Sequence, residues 1–526
     1  MHPENPSLPT QPVSVEPAHK YAPERLEQAL FLLLTCVGLG IIADALFRTN
    51  LLGLNVSLFV TALIASLYVW SRRFKQASFS PLLHGGLLIL TWLFSWRDSF
   101  FLQSLDLAVQ FFLLFLIAAR LSSPFLFKTT FAEMTLNLLR TGFALVISPF
   151  AFLFDSPWKD LSKFRERGYG GATLSVVRGL LFAIPLFVVF AVLLSSADAR
   201  FETLINNIFR VDVEGMLDHL FTIAFVSFAA LALFAQYLFG KAWKEADFPA
   251  PKLLRLGVIE TALICGSLVV LFSSFIALQF GYLFGGEERV LTSDVTFAQY
   301  GRRGFFELVT VTVLLHIVLL VGLWLTTEAK ARRLYRYLAT LLVVLLYGII
   351  WSAFNRLGIY IEAYGLTELR YYSSAMTLWI GVVMLYFLVH LHKSFLIKFI
   401  PSYFVPNYLT AGYLALGIMG VVALYLSNPD AQIAKFNLGR SQSSANMDVA
   451  YLENLSLDAM PVITDFAKNQ SATAEAFLLS YLLNDKYQAL PKADWRSFNL
   501  GRWQGAKALD DFMKQPNQQF SPRDRR

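Results

Sequence analysis

Long apolar segments separated by short polar loops dominate this chain. Seven segments between residues 174 and 427 are apolar runs of about 17–25 residues, the length that a helix needs to cross ~30 Å of hydrocarbon. Four further apolar segments precede them. We therefore predict an all-α polytopic membrane helix bundle of about eleven transmembrane helices. They lie at 28–47, 54–70, 82–96, 104–119, 174–196, 216–239, 258–284, 304–326, 335–354, 372–391 and 408–427.

Composition agrees with a membrane protein. Hydrophobic residues make up 56% of the chain and charged residues 15%, against about 25% charged residues in soluble domains. The net charge of +7 arises largely from Lys and Arg beside helix ends, which is a signal of membrane orientation, so we expect no nucleic-acid partner. Cys36 and Cys265 lie in apolar segments without a C-x-x-C motif. No metal site or cofactor is predicted.

The distribution of basic residues predicts the orientation. One set of alternate loops carries more than twice as many Lys and Arg residues as the other set. The richer set is expected to face the cytoplasm. The N-terminus is therefore predicted inside and the C-terminus outside the cell.

The segment Phe131–Phe154 has to stay on the cytoplasmic side for this count to hold. Glu133, Asn137 and Arg140 form a polar stripe along its first half. We interpret it as an in-plane or re-entrant helix, broken near Pro149. The basic run at 159–167 that follows would either bind anionic lipids at the cytoplasmic face or form a solvated linker, and the sequence favours neither.

These patterns divide the chain into five parts. We predict a disordered cytoplasmic tail, a four-helix membrane segment, a cytoplasmic amphipathic or re-entrant and basic segment, a seven-helix membrane core and a small helical extracytoplasmic domain, at 1–25, 26–119, 120–173, 174–427 and 428–526. The last part contains FNLGR twice, at Phe436–Arg440 and Phe498–Arg502. This repeat indicates either a repeated turn with Phe inward and Arg outward, or chance reuse.

Three charged clusters on the predicted outer side are candidates for a binding pocket. An Arg guanidinium binds phosphate or carboxylate with two hydrogen bonds, so converging clusters would suit an anionic headgroup. The structural alternative is that these charges snorkel or form ion pairs at helix ends. The candidate substrate-binding residues are Asp198, Arg200, Arg302, Arg303, Glu307, Arg356, Glu362, Glu368 and Arg370. Thr367 is predicted to cap the helix that follows it.

The histidines predict little chemistry. His316 lies in the middle of a crossing but on the opposite helix face from Glu307, so the two cannot form one relay, and we expect a hydrogen-bonded core histidine. His390 and His392 are two residues apart and diverge, which argues against a metal site. Nucleotide-binding, zinc-protease and serine-hydrolase motifs are absent from the sequence. The sequence favours a non-enzymatic protein over an enzyme.

Several longer strings carry a resemblance. RGLLFAIPLFVVFAVLLSSADARFETL, YGRRGFFELVTVTVLL, SAFNRLGIYIEAYGLTELR and NPDAQIAKFNLGR occur in order between Arg178 and Arg440. Together they resemble the bacterial multi-pass membrane family catalogued as domain of unknown function 4173. The resemblance implies a bacterial inner-membrane protein. It implies no reaction, substrate or catalytic residues.

Three functional hypotheses follow. The preferred one is a non-enzymatic bundle that binds or moves an envelope solute or lipid through an outward-facing polar pocket. The second is a structural or regulatory protein that recruits an envelope protein partner through 428–526. The third is an intramembrane transferase, which would require His316 or Asp44.

Overall fold

The computed structural model describes most of the helices predicted from the sequence. The described residues are 22–49, 51–73, 80–122, 126, 131–154, 190, 194, 213–239, 255–283, 305–393, 409–441, 448–469, 474–492 and 494–515. Every regular element among them is a helix. The helices are α1 Ala22–Leu46, α2 Leu54–Arg73, α3 Pro81–Leu93, α4 Phe100–Ser122, α5 Phe131–Phe154, α6 Val213–Phe239, α7 Val258–Leu283, α8 Phe305–Leu325, α9 Ala329–Tyr364, α10 Glu368–Leu391, α11 Leu409–Ser427, α12 Pro429–Ser441, α13 Val449–Asn454, α14 Met460–Lys468, α15 Ala474–Gln488 and α16 Leu500–Met513.

The all-α polytopic architecture is confirmed. Within the described ranges, ten helices are long and apolar enough to cross a membrane: α1, α2 and α4–α11. Helix α3 is shorter, with 13 residues. Helix α9 has 36 residues, which amounts to about 54 Å and exceeds the ~30 Å hydrocarbon layer, so it extends well beyond the predicted 335–354. The crossing predicted at 174–196 falls almost entirely outside the described residues.

Helix α5 differs in one respect from its prediction. It continues without interruption through Pro149, so the expected break near that residue is wrong. The hydroxyl of Ser148 donates to the carbonyl of Ala232 at 3.3 Å, and the rings of Phe150 and Phe228 lie 5.4 Å apart. The second half of α5 therefore runs antiparallel to α6.

The structure divides into two compact units. The first comprises 1–44, 69–76 and 144–239, and the second comprises 45–68, 77–143 and 240–526. In the first unit, Asp44 Oδ1 of α1 lies 2.6 Å from His219 Nδ1 of α6. A Cβ on Gly40, one turn away, would collide with Ser227 and Ile223, so glycine permits the close approach of α1 and α6.

The second unit contains a membrane core built from α7–α10. Its buried side chains are chiefly aliphatic, as in Leu342, Leu346 and Met384. Tyr335 donates its hydroxyl to the carbonyl of Leu319, and Tyr347 donates to the carbonyl of Gly381 at 2.7 Å. Such bonds to backbone carbonyls allow tyrosines to be buried in an apolar bundle.

The C-terminal helices α12–α16 have a hydrophobic core of their own, which confirms that this part is helical. Ile433, Met460, Leu483 and Leu509 lie in that core. Leu366, in the connection between α9 and α10, packs against it. The C-terminal helices thus rest on the membrane helices of the same unit.

Candidate functional site

The second FNLGR copy attaches α16 to the loop between α3 and α4. Asn499 caps α16, because its Oδ1 accepts from the amide of Arg502 at 3.1 Å. Its Nδ2 donates to the carbonyls of Phe94 and Arg97 at 3.2 and 2.8 Å. The amide of Gly501 also donates to the carbonyl of Trp96 at 3.0 Å. One short motif therefore satisfies three backbone carbonyls between α3 and α4.

Arg502 from the same motif pairs with Asp98 in that loop. Its Nη2 and Nε donate to Asp98 Oδ1 at 2.6 and 2.9 Å. Its Nη1 donates to the carbonyl of Ser497 at 2.8 Å. The side chains of Arg502 and Asp98 are 15% and 13% exposed, so the ion pair is largely removed from water. Burial raises the pKa of Asp98, and the guanidinium of Arg502 opposes that rise.

Asp458 lies against the same loop from the turn that precedes α14. The amide of Asp98 donates to Asp458 Oδ2 at 2.5 Å, and Arg97 Nη1 lies 3.8 Å from Asp458 Oδ1. Burial raises the pKa of Asp458 to about 6. The hydrogen bond from the Asp98 amide and the charge of Arg97 oppose this rise. A Cβ on Gly501 would overlap with the Asp458 carboxylate, so residue 501 has to be glycine for this approach.

Asp430, in the first turn of α12, is the third buried acid. It is 1% exposed. Its Oδ2 accepts from the amide of Ser456 at 3.2 Å, and the hydroxyls of Ser456 and Ser99 also stabilise its charged form. Its Oδ1 has no partner within hydrogen-bond distance among the described residues. Burial raises its pKa. Asp98, Asp430 and Asp458 interact electrostatically with one another, and we call these three residues the carboxylate cluster.

The first FNLGR copy makes an equivalent contact with a different loop. Asn437 Oδ1 accepts from the amide of Leu366 at 2.8 Å, and Asn437 Nδ2 donates to the Leu366 carbonyl at 2.7 Å. Arg440 Nη2 donates to the carbonyl of Ala363 at 3.3 Å. Gly365 adopts φ +81° at this contact, in the left-handed region that favours glycine. Each FNLGR copy therefore docks an Asn on the backbone of a connection between membrane helices.

This arrangement corrects the prediction for the repeat. Phe436 and Phe498 are 37% and 44% exposed, so Phe does not point inward. Arg502 is bound rather than free in solvent. The copies are also not a repeated turn, because the first lies within α12 and the second leads into α16. The repeated element is the side-chain chemistry of Asn and Arg.

Five of the nine candidate residues from the sequence lie in the described part of the chain. Asp198, Arg200, Arg302 and Arg303 lie outside the described residues. Glu307 and Glu362 are exposed, and Arg356, Glu368 and Arg370 are half-buried. Whether these residues bind a substrate stays a prediction. In the described ranges, no group of three His, Cys, Asp or Glu side chains is placed to hold a metal ion.

Arg370 has a structural role at the α9–α10 connection. Its Nη1 donates to the carbonyls of Tyr364 and Gly365 at 3.1 and 2.5 Å. Its guanidinium lies 4.1 Å from the ring centroid of Tyr360, a cation–π distance. The predicted cap is confirmed, since Thr367 Oγ1 accepts from the amide of Arg370 at 3.4 Å.

Sequence reasoning missed the carboxylate cluster, because isolated Asp residues next to apolar segments resemble ordinary loop charges. The FNLGR repeat was the one signal available, since it marks the segments that dock on the loops.

Comparison with known proteins identifies a family. No curated protein and no solved structure matches this chain. A family model described as "Domain of unknown function (DUF4153)" matches residues 85–466. This match overturns the resemblance to domain of unknown function 4173, which is a different family. The chain is a membrane protein that belongs to the DUF4153 family.

Proposed function

We propose that this protein is a non-enzymatic membrane protein that binds or moves an envelope solute or lipid at the carboxylate cluster. The observation that carries the proposal is the unpartnered Oδ1 of Asp430, on a side chain that is 1% exposed. Buried polar atoms in proteins are nearly always hydrogen-bonded. A ligand group that donates hydrogen bonds would satisfy this oxygen.

The charges around the cluster favour a donor-rich ligand over the anionic headgroup expected from the sequence. Three carboxylates, Asp98, Asp430 and Asp458, face two guanidinium groups, Arg97 and Arg502. Arg502 is already occupied by Asp98 and by backbone carbonyls. A primary ammonium group, as in an amine-bearing lipid headgroup or solute, supplies both the missing charge and the missing donors.

We place this site on the outer side of a bacterial inner membrane. The α1–α2, α3–α4 and α9–α10 connections all bond to C-terminal helices, as shown by Leu54, Asn499 and Asn437. These connections belong to the loops with few Lys and Arg residues, which the positive-inside rule assigns to the outside. Because the Asp430 carboxylate is buried, ligand entry requires the C-terminal helices to move away from the α3–α4 loop.

The direct test compares melting temperatures in lipid nanodiscs. Wild-type protein is expected to melt several degrees higher with phosphatidylethanolamine, which has a primary ammonium, than with phosphatidylglycerol, which has none. Asp430→Asn should abolish this difference. Asp485→Asn, at an exposed position of α15, should preserve it. An unchanged lipid dependence in Asp430→Asn would contradict the proposal.

A deletion strain provides the functional readout. Membrane lipids and exported metabolites are profiled after complementation with wild type, Asp430→Asn or Asp485→Asn. A species restored by wild type and by Asp485→Asn, but not by Asp430→Asn, would identify the substrate class. A profile that does not change on deletion would argue against solute or lipid movement.

A second candidate function is recruitment of a partner by α15. Phe477, Leu478 and Tyr481 are 55%, 48% and 61% exposed, and they lie on neighbouring positions of that helix. Such clustered apolar exposure is typical of interaction surfaces. Under this alternative, Tyr481→Ala with Leu478→Ala fails to complement the deletion, whereas Asp430→Asn complements fully.

A further inference from the structure

A row of four polar rings crosses the interface of α8, α10 and α11. The ring of His316 lies 5.4 Å from that of Tyr413, centroid to centroid. Tyr413 lies 5.4 Å from Tyr386, and Tyr386 lies 6.4 Å from His390. We call these four residues the ring row. It connects residues that are far apart in the sequence and on three different helices.

Three polar atoms of the ring row are buried without a partner. His316 Nδ1, Tyr413 Oη and His390 Nδ1 have no hydrogen-bond partner among the described residues. The expected hydrogen bond of a core histidine is therefore not made through Nδ1 of His316. The ring of Phe387 packs on the ring of His316, with 5.5 Å between the centroids. An apolar side chain at position 316 would therefore also have an apolar partner. Imidazole and phenol groups in such a place require a polar neighbour, and water is the smallest one.

The ring row leads from one end of the bundle to its middle. Helix α10 starts beside the C-terminal helices, where the amide of Glu368 donates to Tyr451 Oη at 2.6 Å, and His390 is its penultimate residue. His390 therefore lies at the opposite end. Tyr413 lies in the first two turns of α11, and His316 lies midway along α8. The row thus extends from the far membrane face to mid-membrane depth.

The side chains next to the ring row would allow water to enter it from the membrane face opposite the C-terminal helices. Lys393, just beyond α10, acts electrostatically on His390. Tyr335 of α9 faces Tyr413, and its own hydroxyl is bonded to the Leu319 carbonyl. His392 Nε2 lies 2.8 Å from Thr340 Oγ1, so it points to α9 and not into the row.

We propose that the ring row is a water-filled proton path from the face opposite the C-terminal helices to His316. The rings pack edge to face, so water molecules would lie beside them and bridge the unpartnered polar atoms of His316, Tyr413 and His390. A proton enters at His390, moves along bridging water and the tyrosine hydroxyls, and binds the free nitrogen of His316. Intramembrane ionisable residues of this kind mark ion and proton pathways. This inference does not depend on the carboxylate cluster.

Cysteine accessibility tests the path. Both native cysteines, Cys36 and Cys265, are first replaced by Ala in the full-length chain. His316→Cys is then compared with Leu314→Cys, which is two residues away, about 3 Å in depth, and exposed on the outer surface of the bundle. Proteoliposomes are treated with a small cationic methanethiosulfonate from either side, and a protease-sensitive C-terminal tag reports the orientation.

The proposal expects His316→Cys to react at least tenfold faster than Leu314→Cys, and only from the face opposite the tag. A thiol becomes a reactive thiolate only in contact with water, which lipid does not supply. Equal rates, or reaction only from the tagged face, would overturn the path. In the wild-type protein, magnetisation transfer from water to histidine nitrogens should reach a signal that disappears in His316→Gln. If that transfer fails, the proton path is contradicted, whether or not the cysteine variants fold.

Discussion

Arg502 and Asp98 form a nearly buried ion pair at 2.6 Å, although 404 residues separate them in the chain. The pair joins the start of α16 to the loop between α3 and α4. It therefore ties the last of the described helices to the connection between two early helices. This contact lies within the second unit, which also contains α3, α4 and α7–α11.

Removing the charge of Arg502 should destabilise this attachment. Arg502→Gln leaves Asp98 buried without its cation, and breaking a buried pair costs about 3 kcal/mol. Thermal unfolding in detergent should show a lower melting temperature and earlier proteolysis of 448–515. Lys514→Gln is the matched control, because Lys514 pairs with Asp510 one turn away on α16 and its side chain is 70% exposed. Equal effects of the two substitutions would contradict the role of the buried pair.

The two FNLGR copies provide a paired glycine experiment. Gly501→Ala places a methyl group against the Asp458 carboxylate, and such overpacking costs about 1–3 kcal/mol. Gly439→Ala meets no atom within 4 Å and lies inside α12, so it should stabilise the helix by about 0.5–1 kcal/mol. Chemical denaturation followed by the fluorescence of Trp495 and Trp503 measures both. A neutral Gly501→Ala would argue against the close contact.

The buried acids should make stability depend on pH. The pKa of Asp458 is raised from 3.8 to about 6 by burial, so the folded state binds more protons than the unfolded state between those values. Stability contributed by this group is therefore present at low pH and is lost as pH rises from about 4 to about 6. The raised pKa values of Asp98 and Asp430 act in the same direction.

The measurement is a series of melting temperatures between pH 4.5 and pH 8. The melting temperature of the wild type should fall by several degrees across this window because of the carboxylate cluster. That of Asp458→Asn should fall less, because the amide does not ionise. Asp485→Asn should behave as wild type, since that side chain is exposed. A steeper loss in Asp458→Asn than in wild type would show that burial is not the dominant effect on Asp458.

Both ends of helix α5 should lie on the same side of the membrane. With the crossing predicted at 174–196, a crossing by α5 would put the α9–α10 connection on the side opposite the α3–α4 loop, whereas both bond to the C-terminal helices. Topology reporters fused at Leu126 and at Ser156 should then report the same side. Fusions at Asn50 and Trp96 are controls, and they should agree with each other because both loops bond to the start of α16. Opposite signals at Leu126 and Ser156 would show that α5 crosses.

Part of the local structure was predictable from short stretches of sequence. Thr367 was identified as a helix cap, because the residue type and the following turn are sufficient to form the bond to Arg370. The role of Arg370 itself was not predictable. The sequence places it among charges suited to a ligand, whereas the structure uses it to bind Tyr364, Gly365 and Tyr360. Nothing in the local sequence distinguishes these outcomes.

The histidines also separate what the local sequence predicts from what it does not. The sequence argues against a relay between His316 and Glu307, since both lie on one helix of known geometry. It could not show that His316 lies beside Tyr413 of another helix.

By itself, the sequence determined that the chain is an all-α membrane protein, and it determined where most helices lie. Apolar run length and charge spacing are local properties, and the bilayer converts them directly into helices. Only the tertiary structure decided that Arg502 meets Asp98, that Asp430 and Asp458 are buried together, and that the ring row exists. Those relationships depend on which helices pack side by side, and the apolar surfaces of membrane helices are too alike in sequence to specify their partners.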